Sequence, residues 1–227
     1  MINDTLITAQ DVVELSFSTN HSYIADRCNF IVGIEEGFFN SCLGWDFYQA
    51  LLSDKYVYRQ NANVGAGEIN ITHFAEGGNY LTGAHVEYEG TIFMALVNIT
   101  GANSVYNQAQ WVKADKFKTA ANQYLWDRYL GKILAFSVTS TSVMYRLVKD
   151  TPKGLVKNFD EGSSKAADLK EAMALKAEAK VDIETLIKAM EAYVERNAAA
   201  YPLYRVPGCK DSCAKNSFTK KLGFNVG

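Results

Sequence analysis

Apolar positions along the chain keep a period of three to four, break into alternation after about residue 55, and then return to the helical period. The first regular stretch is "ITAQDVVELSF". Thr8 stands where a side-chain oxygen caps a helix, and Asp11 falls in the first turn, where the helix dipole favours an acid. In "NHSYIADRCNFIVGIEEGFFNSCLG", Ile24, Cys28, Ile31, Ile34, Phe38 and Cys42 recur at spacings of three and four. That pattern predicts a longer helix with one apolar face, ended by Gly44 in the left-handed conformation. "WDFYQALLSDK" predicts a short third helix with Phe47, Ala50 and Leu51 inward.

From Tyr56 the pattern changes. "VYR", "EINITHF", "AHVEY" and "TIFMALVNI" read as short strands, and "EGGN" and "YEGT" as turns, with Gly90 supplying a positive φ. Helix returns at about Lys116. Ala120, Ala121, Tyr124, Leu125, Tyr129, Ile133 and Phe136 share one helical face, and "SVTSTS" weakens it, because hydroxyls compete for backbone partners. Pro152 and Gly154 end this element in a loop, "KDTPKGLVKNFDEGSS". A last long helix carries the stripe Ile183, Ile187, Met190 and Val194, preceded by Leu169 and Met173, and stops before Pro202.

The predicted fold class is therefore mainly α: a helical bundle with a small antiparallel β insertion and an extended C-terminal tail. Residues 1–55 and 116–204 are expected to form one discontinuous helical domain, 56–115 the β-rich insertion, and 205–227 the tail. Neither helical half buries its apolar faces alone, so the two should pack on each other.

Composition changes this picture little. Of 227 residues, 48% are hydrophobic and 21% charged, which suits a folded soluble domain. The formal charge of -2 gives no global basic excess, so any nucleic-acid contact would need a local patch. No apolar run approaches the roughly 18 residues of a membrane span, so no membrane association is expected. The opening "MINDTLITAQDVVEL" lacks a basic region followed by an apolar run, and a signal peptide is not expected.

Candidate chemistry is sparse. Cys28 and Cys42 read as buried small apolar residues. Cys209 and Cys213 form "CKDSC", with no second pair and no nearby His; a local disulfide or two thiols fit this better than a metal. Of the three histidines, His21 reads as capping or exposed, while "HFAE" places His73 near Glu76, and His85 follows a glycine-rich turn. "GAGE" lacks the spacing of a phosphate loop. Pairs such as Glu35/Glu36 and Glu87/Glu89 have the wrong spacing to converge or lie on solvent faces. No catalytic residue, cofactor or metal is predicted, and no enzymatic activity.

The β insertion is more informative. A sheet this small has almost no interior, so it needs aromatic residues as its core, and Tyr88, Phe93 and Trp111 would supply it. Alternatively one of these rings is exposed as a platform for a sugar or a protein partner.

Two resemblances rest on these residues. "VEYEGTIFMALVNITG…QW" resembles the small carbohydrate-binding modules of chitinases, over about thirty residues. "LITAQDVVELSF…YIADRCNFIVGIEEGFFNSCLGWDFYQALL", together with the ending "YVERNAAAYPLY", resembles phage head–tail connector (adaptor) proteins, and the long loop, the β insertion and the Cys-bearing tail most resemble the ring proteins of crAss-like phages. That resemblance implies a helical connector-type bundle and a structural role in the virion. It implies a ring, usually of twelve copies, below the portal, joining capsid to tail around the DNA channel. The implied partners are copies of the chain itself, the portal protein and adjacent connector or tail ring proteins. The candidate interface residues are Tyr88, Phe93 and Trp111 in the β insertion, with Arg205, Lys210, Phe218, Lys220, Lys221 and Phe224 in the tail. Two readings of the tail lysines stay open: a solvated tail, or contact with an acidic neighbour or channel DNA. The alternative function is carbohydrate binding through the β insertion.

Overall fold

The computed structural model describes residues 5–16, 24–60, 65–151, 154–157 and 169–204, with backbone alone at 24–29, 143–151, 154–157, 169–172 and 175. The chain divides into two compact units, Met1–Ser53 with Tyr124–Gly227, and Asp54–Gln123.

The first unit is built from helices α1 (Ala9–Leu15), α2 (Ile24–Phe38), α3 (Trp45–Asp54), α4 (Ala120–Leu125, which begins in the other unit), α5 (Gly131–Leu147) and α6 (Leu169–Arg196). Helix α5 is its centre and packs against α1, α2 and α6. α1 starts with a reciprocal capping box: Thr8 Oγ1 accepts from Asp11 N at 3.1 Å, and the Asp11 carboxylate accepts from Thr8 N at 2.8 Å. Helix α6 buries Ala179, Ile183, Ile187, Met190 and Val194, while Met173, assigned to the same stripe from the sequence, is exposed.

Two π-helical turns decide which side chains point inward. Phe39–Leu43 continues α2, and Trp126–Leu130 joins α4 to α5. Each inserts a residue into the 3.6 period and rotates the apolar face. After α4, the buried set is therefore Leu125, Trp126, Leu130, Ile133, Leu134 and Val138, whereas Tyr124, expected inward, is exposed. α2 ends at Gly44, with φ 86° and ψ 149°. The residue needs a positive φ, but its ψ lies outside the left-handed helical well in which the sequence placed it. At Gly131 a Cβ would stand 2.8 Å from Leu15 Cδ1 and 3.2 Å from Trp126 O, so a larger residue there would make the Leu15 side chain shift.

The hydroxyl cluster does not break α5. Ser137, Ser140, Thr141 and Ser142 donate to carbonyls three or four residues earlier, at 2.7–3.1 Å, within the helix. These bonds satisfy the hydroxyls without water, and Ser137, Ser140 and Ser142 are buried.

The expected fold class needs correction, because the sheet content is too large for a mainly α protein: the fold is mixed α/β. The second unit holds a five-stranded sheet in the order β1 (Val57–Gln60), β2 (Glu68–His73), β4 (His85–Tyr88), β5 (Thr91–Ala95), β7 (Trp111–Lys113). A two-stranded sheet pairs β3 (Gly78–Tyr80) with β6 (Ile99–Ala102). Nor is the large sheet antiparallel throughout. β1–β2 and β2–β4 are parallel, while β4–β5 and β5–β7 are antiparallel. β3 leaves to pair with β6, so β4 returns alongside β2 in the same direction. Strand direction depends on that departure, which no local pattern encodes. In the first unit, β8 (Val148–Thr151) and β9 (Gly154–Lys157) form a two-stranded antiparallel pair where a loop was expected.

The β4–β5 hairpin turns on Glu89 (φ 50°) and Gly90 (φ 78°), with Tyr88 opposite Thr91. Two consecutive positive φ values match the twist of the flanking strands. The unit's two ends are held side by side: Tyr56 N donates to Lys116 O at 2.9 Å and Lys118 N to Asp54 O at 3.0 Å. The Asp54 carboxylate also accepts from Thr119 N, Thr119 Oγ1 and Asn122 Nδ2.

Candidate functional site

The aromatic residues selected from the sequence lie where the two sheets of the β unit face each other. Val86 and Tyr88 share a face by strand alternation, and the register sets Phe93 opposite Val86 and Trp111 opposite Ala95. This face and the β3–β6 sheet enclose Val86, Ala95, Ile99, Ala102, Val105 and Trp111, with Phe74, Tyr80, Tyr88 and Phe93 packed at the margin. Trp111 is 2% exposed. Its ring meets Tyr80 edge-on at 5.2 Å and Phe74 at 6.1 Å. Its Nε1 is buried with no hydrogen-bond partner among the described residues. Trp111 is thus the centre of the core and cannot offer a face to a sugar or a protein while the unit is folded. Tyr88 and Phe93 lean on that core, the place that the first reading of these rings gave them.

The ring that does reach solvent is Tyr106, 64% exposed. It stands at right angles to Tyr88 (5.8 Å) and Phe93 (6.2 Å), and its hydroxyl donates to Glu89 Oε2 at 3.2 Å. Sequence reasoning missed it because the loop "NSVYNQAQ" carries no period, and exposure of one loop tyrosine has no pattern.

The opposite face of the large sheet carries His73, His85 and Glu87, while the register sets Glu68 and Arg59 on the Val86 face. His73 Nδ1 lies 2.6 Å from Glu87 Oε2, and Glu87 Oε1 accepts from Gly90 N at 2.7 Å. The parallel register places His73 opposite Glu87, so the expected pairing with Glu76 is replaced. The His73 side chain is 72% exposed, which makes this a surface bond rather than an enclosed acid–base pair. His85 is half-buried, and burial lowers its pKa despite a backbone hydrogen bond involving Gly83. Tyr58 sits 5.8 Å from that imidazole; burial raises its pKa, helped by Tyr56 and Asp115, and its hydroxyl donates to Asp115 O at 2.7 Å. Glu68 is held below the usual carboxylate range by the Gly65 N–H and then by Arg59.

In the helical unit, Glu35 belongs to a pair whose adjacent members were not expected to converge, yet it is engaged by itself. It is fully buried. Its carboxylate accepts from Leu6 N at 2.9 Å, Ile7 N at 2.5 Å and Tyr48 Oη at 2.8 Å. It thereby satisfies donors of the segment before α1, and its role is to fasten that segment. At the end of α6, Tyr193 contacts Tyr124, Tyr129 and Tyr201, and Phe47 of α3 contacts Tyr201 and Tyr204. The Tyr204 hydroxyl is pushed up to about 12, by burial first and then by Glu191 and Glu195. Cys42 is a buried thiol. His21, Cys209, Cys213, Arg205, Lys210, Phe218, Lys220, Lys221 and Phe224 lie outside the described residues. Among the described residues no cluster of His, Cys, Asp or Glu is placed to hold a metal, and no helix is long and apolar enough to cross a membrane.

Searches of curated proteins and of solved structures each found no match. Residues 96–214 match a family of unknown function, DUF6712, a span that runs from the β5–β6 turn through α4, α5 and α6. That match covers more than half of the 227 residues, and the chain belongs to the DUF6712 family.

Proposed function

We propose that this protein is a structural virion component, one subunit of a ring in the head–tail connector of a phage, seated below the portal and joining capsid to tail. One observation carries the reading. The two stretches that resemble connector proteins, near the start of the chain and at the end of α6, meet: Phe47 of "WDFYQALL" packs edge-on against Tyr201 of "AYPLY" at 6.0 Å and against Tyr204 at 6.3 Å. Residues of the resemblance are therefore packing residues. Leu6, Ile7, Val12, Val13, Leu43, Leu51 and Tyr201 are all buried. A motif made of core positions specifies a shape, which is what a ring subunit contributes to assembly.

The proposed partners are further copies of the chain, the portal protein and the rings above and below, with the virion as its site of residence. The test is reconstitution of the full-length chain with the portal protein encoded beside it. The expected result is a ring of about twelve copies on the portal's tail side, seen by cryo-microscopy, as closed cyclic symmetry would produce. Failure of the chain to bind that portal, together with its absence from purified virions by mass spectrometry, would overturn the reading.

A further inference from the structure

We draw no further inference here: the strongest candidate, the uncharged tip where residues 77–84 and 90–112 meet at the β3–β4 and β5–β6 turns and leave Leu81, Leu96 and Val97 exposed, carries none because nothing in the structure shows what covers it.

Discussion

In the helical unit a fully buried carboxylate, Glu35, is surrounded by three donors; in the β unit the buried Trp111 Nε1 has no partner among the described residues. The contrast follows from size. Long helices around α5 bury many aliphatic side chains together with several bonded polar groups, although Thr139 Oγ1 is buried there with no hydrogen-bond partner among the described residues. The β unit closes a much smaller interior with rings, and its stability is concentrated in few residues. Its exterior is likewise uneven, with the His73–Glu87 pair on one sheet face and two uncharged turns at one end.

The comparison is broken most directly at Trp111. Trp111→Ala should cost about 3–5 kcal/mol and unfold the β unit while leaving the helices standing. Hydrogen exchange should show loss of protection confined to residues 68–113; a variant that keeps that protection would deny Trp111 its place as the core's centre. The second break is Glu35→Ala. It strands the Leu6 and Ile7 amides and the Tyr48 hydroxyl, and should destabilise the helical unit by about 3 kcal/mol. Tyr48→Phe, which removes one donor, should cost only about 1 kcal/mol. Urea denaturation followed by far-UV circular dichroism measures both, and equal costs would show that the two amides do not depend on the carboxylate.

A smaller effect sharpens the difference through pH. The folded pKa of His85 is lowered by burial, so the unfolded chain binds the proton first as pH falls. The stability contributed by neutral His85 is complete above the ordinary histidine range and is lost as pH drops below about 6.5. His85→Gln should flatten that part of the β unit's pH dependence between about pH 7 and 5, read by hydrogen exchange of β2 and β4. The smallest effect belongs to Tyr106. Exposed and outside the core, it should cost less than about 0.5 kcal/mol as Tyr106→Ala, against several for Trp111. If the two aromatics proved equal, the assignment of core and surface would be reversed.

Within the helical segments, much of the interior was legible. Thr8 and Asp11 announce α1 by capping chemistry, and Ile183, Ile187, Met190 and Val194 trace the buried face of α6 by spacing. Legibility failed where the helical period itself changed. The π turns at Phe39–Leu43 and Trp126–Leu130 shift the face by a residue, and a 3.6-residue period carried through them misplaces Tyr124. It failed again at Glu35, because one of two adjacent acids on a helix gives no sign of burial until its amide donors, 28 and 29 residues away, are in place. Tyr88, Phe93 and Trp111 were legible as the aromatic core of a small sheet, but not that Trp111 takes its centre while Tyr88 and Phe93 stand at the margin.

The sequence by itself determined the local elements: helix starts, apolar stripes, the positive-φ turn at Gly90, and the presence of strands between two helical stretches. All of these depend on neighbours within a few residues, which a linear pattern records. Tertiary structure alone decided the parallel pairing of β1, β2 and β4, the burial of Trp111, the fastening of Leu6 and Ile7 by Glu35, and the joining of two uncharged runs into one tip. Each of these needs groups distant in the chain to meet, and the free energy that selects them is that of a shared interior.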